Sequence, residues 1–244
     1  MADVHFTMQG KGGVGKTFVA SILAQYISTV REHELTVIDT DPVNATLSQY
    51  KALNVEYLAI QDADSTRINE RHFDRLIEKI LNNPESDFVI DNGAATFVPL
   101  SNYLIENSAI EMLEESGRKV VIHPVITGGQ GLVDTLSGLS QLIDQLPPEV
   151  AIVVWKNPFF GDIEKDGKKF EQMAVYKKNQ DRIHAVMAIP KQSADTYGVD
   201  IEEMLQHKLT FDEAIVSPIF GIMSKQRLRL VKTEIFARVS VALG

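Results

Sequence analysis

Gly10-Lys11-Gly12-Gly13-Val14-Gly15-Lys16-Thr17 is the stretch that most narrows what this chain can fold into. It fits G-x-x-x-x-G-K-[ST], and its setting matters more than the pattern. Val4–Met8 reads as a strand directly before it, and Lys16–Ser28 reads as a helix directly after it. Glycines let the backbone curl so that successive N–H groups face one point. The helix N-terminus adds its dipole to that anion site. Phosphate oxygens are the expected occupant, cradled by Gly10, Gly12, Gly13, Val14, Gly15, Lys16, Thr17 and Phe18. Lys16 is expected to reach the β- and γ-phosphates, and the Thr17 hydroxyl to ligate Mg²⁺. ATP with Mg²⁺ is thus the expected cofactor pair. The rival reading is a chance glycine-rich turn.

The rest of the 244 residues repeats this alternation of short apolar runs and longer helical patterns. Strands are predicted at Val4–Met8, Leu35–Ile38, Phe88–Ile90, Lys119–Ile126, Ala151–Trp155 and Ile183–Ile189. Several are continuously apolar, which suits strands buried on both faces of a parallel sheet. Helices are predicted near Lys16–Ser28, Phe73–Leu81, Pro99–Glu115, Leu132–Leu146 and Phe170–Lys178. The expected fold is α/β: a single doubly wound, mostly parallel sheet with helices on both faces. No linker or repeat divides it, so residues 1–244 are read as one P-loop nucleotide-binding domain. Thr210 and Glu213 resemble a capping box, and Ser217-Pro218 an N-cap with proline at the first helical position. That places a basic amphipathic C-terminal helix at about 218–243.

Composition removes several function classes. There is no cysteine, so disulfides and thiolate metal sites are impossible. No apolar run approaches the ~18–20 residues of a membrane span, and a signal peptide is not expected because Val4–Met8 already reads as a strand. The expected address is cytoplasmic, with a peripheral position at the inner membrane kept open. The net charge of −9 argues against a surface that is basic all over, though not against a local basic patch.

Two acidic segments fall where a doubly wound sheet binds its ligands. Asp39-Thr40-Asp41-Pro42 follows the second strand, and Asp87-Phe88-Val89-Ile90-Asp91 is an apolar strand ending in an acid, the Walker B pattern. Asp91 is expected to hold Mg²⁺ through water. For Asp39–Pro42 the competing reading is a turn that caps the next helix.

Lys11-Gly12-Gly13-Val14-Gly15-Lys16-Thr17 resembles the deviant Walker A motif of the MinD/ParA ATPases. The resemblance implies that Lys11 reaches across a homodimer to phosphates held by the other subunit, where a second cation would stabilise developing charge. It also implies that Asp41 positions the attacking water and that Asp39 sits nearer the Mg²⁺. Lys11, Lys16 and Asp41 are therefore the implied catalytic set. Asn157 resembles the asparagine that contacts adenine, and Ile189-Pro190 the segment lying against the base. As a residue pair, Asn157-Pro158 also reads as an ordinary turn. Two departures stand out: Val43-Asn44-Ala45-Thr46 replaces the usual Gln-Gly-Asn-Ala, and Asn92-Gly93-Ala94-Ala95 replaces prolines after Asp91. Gly128-Gly129 is a second candidate mobile loop.

A narrower resemblance rests on Asp39-Thr-Asp-Pro-Val-Asn-Ala-Thr, Tyr50-Lys-Ala-Leu-Asn-Val and Asp91-Asn-Gly-Ala followed by Phe97-Val-Pro-Leu-Ser. These segments, with Phe170-Glu-Gln-Met, Thr210-Phe-Asp and Gln226-Arg-Leu, look like the TraL proteins of conjugative plasmid transfer regions. That implies a role in conjugation, with components of a type IV secretion apparatus as partners. The implied activity is a slow ATPase acting as a dimerisation switch. The alternative is a nucleotide-binding scaffold with negligible hydrolysis, motivated by the departures after Asp41 and Asp91. A small-molecule kinase would have no need of Lys11.

Lys225, Arg227, Arg229, Lys232 and Arg238 lie on the C-terminal helix, with Leu228, Val231, Ile235 and Val239 as an apolar stripe. The favoured reading is a helix packed on the sheet with a solvated basic face; contact with DNA or a membrane is the other. His5, His33, His72, His123, His184 and His207 show no metal-ligand spacing. Ser101, Ser108 and Ser116 lack a nucleophile elbow. Trp155, Phe159 and Phe160 are read as core and loop packing, with a partner surface as the alternative.

Overall fold

The computed structural model describes residues 2–31, 34–62, 67–191 and 193–244; His33 lies outside them. The strands are β1 (Asp3–Met8), β2 (Glu34–Asp39), β3 (Glu56–Tyr57), β4 (Ser86–Asp91), β5 (Lys119–Thr127), β6 (Ala151–Asn157), β7 (Glu164–Lys165), β8 (Lys168–Lys169) and β9 (Ile183–Ala188). The helices are α1 (Lys16–Val30), α2 (Arg71–Leu81), α3 (Phe97–Glu106), α4 (Ala109–Glu115), α5 (Leu132–Gln145), α6 (Ala174–Asn179), α7 (Val199–Gln206), α8 (Phe211–Val216) and α9 (Ile222–Leu243). Seven strands form one sheet in the order β3-β2-β4-β1-β5-β6-β9, and β7-β8 is a separate hairpin. Every pairing in the large sheet is parallel. The strand order reverses around β1, which β4 and β5 flank. This opens a crevice at the carboxyl ends of those strands, where the loop Gly10–Gly15 sits.

The sheet is apolar on both sides because both sides are covered. Val4, Phe6 and Met8 pack with apolar side chains of α2 to α6. Val37, Val89, Val121, Val153 and Trp155 pack on the other face with α1, α8 and α9. Among the described residues no helix is long and apolar enough to cross a membrane.

Three local expectations need correction. The helix predicted at Pro99–Glu115 is two helices, broken where Ser108 adopts φ 48°. The Asn107 amide donates to Tyr103 O (3.0 Å), the kind of side-chain bond that competes with a continuing helix. Phe170–Lys178 starts as a 3-10 turn and becomes α6 only after Met173, which is extended. Pro218 does not open the last helix: Ser217 Oγ accepts from Ile219 N (3.2 Å) within a turn, and Gly221 caps α9. The capping box at Thr210 and Glu213 is present at the start of α8. The short β3 and the β7-β8 hairpin span too few residues to carry a periodic signal.

The basic residues of α9 are largely engaged with the protein. Arg227 pairs with Asp200 (2.5 Å), Lys232 with Asp212 (2.6 Å), and Arg238 bonds both Glu234 and Ala188 O. Leu228, Val231, Ile235 and Val239 are buried against the sheet.

His5 and His123 sit in the core beneath α1. Trp155 Nε1 donates to His123 Nδ1 (2.9 Å), which places the His123 proton on Nε2, facing His5 Nδ1 at 2.9 Å. His5 Nε2 has no partner. Burial, reinforced by Arg31 and Lys119, pushes His5 down to about 3, and burial holds His123 well below the usual range. Between about 3 and the usual 6.5 the unfolded chain therefore binds a proton that the folded chain rejects. Stability fully present above 6.5 is lost as pH falls, by up to about 1.4 kcal/mol per pH unit for each histidine. Lowering the pH from 7 to 5 is expected to shift the urea midpoint less favourably in wild type than in His5→Leu, which lacks one of these histidines.

Candidate nucleotide site

α1 starts at Lys16 because Gly15 turns the chain through φ 100°, a left-handed value. The first N–H groups of α1 consequently point into the crevice without intrahelical acceptors. No side chain fits at Gly15: a Cβ would lie 2.7 Å from Asn157 Nδ2. Asn157, at the end of β6, donates from Nδ2 to Val14 O (2.9 Å), and its Oδ1 accepts from Phe159 N (3.1 Å). It is a strut between β6 and the glycine loop as well as the cap of its own turn. One N–H and one lone pair of the carboxamide remain for a ligand.

Lys16 is buried, with Nζ on the carbonyl of Lys11 at 3.1 Å. Burial lowers its pKa, against the opposing charges of Asp91 and Asp41. An ammonium carries three donors, so this one has hydrogen-bonding capacity beyond that single carbonyl. Lys11 points elsewhere. Its Nζ bridges to Asp134 on the first turn of α5 at 2.8 Å, and both side chains are about half exposed.

The three acids converge on this point from β2 and β4. Asp91 is buried at the end of β4 and accepts from Thr7 Oγ1 (2.8 Å) and from the Thr17 hydroxyl. Burial, with Asp39 adding to it, pushes Asp91 up to about 7 against the pull of both hydroxyls and Lys16. Asp39 is occupied by its own loop: Oδ1 accepts from Asp41 N, and Oδ2 from Ser48 N and Oγ. Burial raises its pKa and these bonds partly reverse the shift. Asp41 Oδ1 accepts from Val43 N (2.9 Å) and Asn44 N (3.3 Å), so the segment does form a turn, but it caps no helix: the next element, a 3-10 turn at Leu47–Gln49, has no side-chain cap. The same carboxylate lies against Gly93, where a Cβ would come within 2.6 Å of it. The loops after β2 and β4 therefore touch. Asn92 ties them to β1, donating to Thr7 O (3.1 Å) and accepting from Thr40 Oγ1 (2.9 Å).

Beside the loop opens a cavity of about 610 Å³ lined by Phe18, Asn157, Pro190, Phe160, Ile201 and Leu205. That volume suits a small organic ligand. Trp155 is wholly buried, whereas Phe159 and Phe160 are exposed at the cavity rim, so the three aromatics do different jobs. Ile201 and Leu205 come from α7 and leave no signal in the sequence. Gln9 is equally silent there. It donates to Val125 O (3.0 Å) and Thr135 O (3.1 Å) and accepts from Gly10 N (2.9 Å), fixing the start of the loop to β5 and α5. Gly128 and Gly129 lie against the backbone of Phe160–Asp162.

Fold and site together define a P-loop nucleotide-binding protein. The chain belongs to the CobQ/CobB/MinD/ParA nucleotide-binding domain family, whose profile matches residues 6–226. More narrowly, it is similar to two Escherichia coli proteins, each called Protein TraL. They are 50% and 49% identical over 242 residues, spanning 99% of this chain and 99% of each relative. Two solved structures share the fold. The MinC:MinD cell division protein complex of Aquifex aeolicus matches with TM-score 0.52 and 13% identity, over 97% of this chain and 96% of that one. A ParA family ATPase from Chlorobium tepidum TLS matches with TM-score 0.51 and 15% identity, over 94% and 97%.

Proposed function

We propose that this protein binds ATP with Mg²⁺ and acts as a nucleotide-dependent dimerisation switch in plasmid conjugative transfer. The observation that carries the reading is the buried Lys16 ammonium, held by one backbone carbonyl at the mouth of a helix N-terminus and facing Asp91 and Asp41. Triphosphate oxygens match that donor surplus. When bound, ATP supplies the transferable γ-phosphate and Mg²⁺ neutralises charge on it. Among the described residues no three His, Asp or Glu side chains gather to hold a metal alone. An Mg²⁺ ion here would rest on Thr17, phosphate oxygens and waters, with Asp91 and Asp39 in its outer shell. Phe18, Asn157 and Pro190 would hold the base.

Lys11 is the residue that would cross to a second subunit, exchanging Asp134 for the partner's phosphates. Its exposed bridge to Asp134 contributes at most about 1 kcal/mol, so the exchange costs little. With one such bridge in each subunit, Asp134→Ala is accordingly expected to change the dimer dissociation constant by less than about thirtyfold, measured by sedimentation in Mg-ATP. Asp41 would orient the attacking water through its second oxygen. The conjugative setting is supported by the likeness to TraL proteins, with secretion components as the partner class.

One observation favours the rival, a scaffold that binds nucleotide without hydrolysing it: Asp41 Oδ1 already caps its own loop. Phosphate release decides between them. The switch requires wild-type turnover at least about tenfold above Asp41→Ala, since a positioned group of this kind contributes ~10²–10⁴. Equal rates would leave the scaffold standing.

A further inference from the structure

The turn joining α8 to α9 presents apolar side chains to solvent. Val216 is 77% exposed, Ile222 86% and Met223 64%, all within eight residues, with Ile219 at 46% beside them. Exposure this high belongs to a protruding tip, not to a groove. The tip is firmly held: Phe220 is buried between these residues, and Thr210 with Glu213 locks the start of α8. Ile222, Lys225 and Arg229 follow one another on one face of α9, at spacings of three and four. Among the described residues neither cation is in an ion pair, unlike Arg227 and Lys232. No acid occurs from Ala214 to Thr233, in a chain of net charge −9.

We infer that this tip is a docking surface for an anionic lipid bilayer. The apolar side chains would enter the headgroup boundary while Lys225 and Arg229 meet lipid phosphates. Charge selects the occupant: an apolar tip rimmed by unpaired cations matches an anionic interface, and its protrusion matches a planar one. The apolar stripe of α9 itself is not the contact, because that stripe faces the sheet.

Vesicle co-sedimentation of the full-length protein, without nucleotide and in Mg-ATP, tests this. Wild type is expected to bind phosphatidylglycerol–phosphatidylcholine vesicles in at least one of these states, and more tightly than phosphatidylcholine alone. The double variants Ile222→Ser/Met223→Ser and Lys225→Glu/Arg229→Glu are each expected to lose at least about tenfold in partition coefficient. Val241→Ser, altering a residue 88% exposed near the other end of α9, is expected to bind as wild type. Ile222, Met223, Arg229 and Val241 are exposed and Lys225 is half-buried, so circular dichroism should show folded variants. Absence of wild-type binding to the anionic vesicles in both states would overturn the inference. So would double variants that bind normally, or an Ile222→Ser/Met223→Ser protein whose solution mass alone has changed, which would make the tip a contact between copies.

Discussion

Lys16→Ala is expected to weaken ATP binding at least about thirtyfold, with a thermal midpoint at or above that of wild type. The affinity loss follows from truncating one partner of a buried, charged hydrogen-bonded contact, which costs about 2–5 kcal/mol; about 2 kcal/mol is a factor of about thirty. The stability expectation runs the other way because burial disfavours the Lys16 charge even with Asp91 and Asp41 nearby. A nucleotide-free fold that carries a desolvated ammonium does not lose by its removal. Titration calorimetry with Mg-ATP and a thermal scan without nucleotide together check both halves. Affinity within threefold of wild type would mean that Lys16 does not meet the phosphates.

Gly128→Ala is expected to destabilise the protein by about 2–4 kcal/mol, lowering the thermal midpoint by roughly 4–16 °C. The cause is steric, since Gly128 has φ −82° and carries no left-handed strain. An alanine Cβ would stand 2.2 Å from Gly161 O and 2.5 Å from Asp162 O. Both are backbone atoms, so no side chain can rotate away. The segment that must yield includes Phe160 and Gly161, which line the cavity beside the glycine loop. Nucleotide affinity should therefore fall along with stability, a pairing not expected of ordinary core overpacking. A variant with wild-type stability would show that the loops after β5 and β6 can separate freely.

Much of the fold is legible in the sequence because the sheet is parallel and buried on both faces. A run such as Ile152-Val153-Val154 in β6 can hardly be read otherwise. The glycine loop, Asp39, Asp41 and Asp91 declare themselves by standing at strand ends. Contacts between residues distant in sequence do not. Asp134 meets Lys11 across 123 positions, and Gln9 reaches Thr135 across 126. Neither residue type is unusual where it stands. The cavity residues of α7 are hidden for the same reason: Ile201 and Leu205 look like an ordinary helix face until the fold lays them beside the glycine loop. The break at Asn107–Ser108 falls at a left-handed Ser108, beside a side-chain bond from Asn107 to Tyr103 O, local features that apolar periodicity does not register.

The switch itself is best tested by the solution mass of Asp41→Ala, measured by light scattering in Mg-ATP and then in Mg-ADP. A dimer in ATP that becomes a monomer in ADP is the expected result, and adding Lys11→Ala should weaken that dimer. An identical mass in both nucleotides would contradict nucleotide-driven dimerisation and leave a nucleotide-binding scaffold in its place.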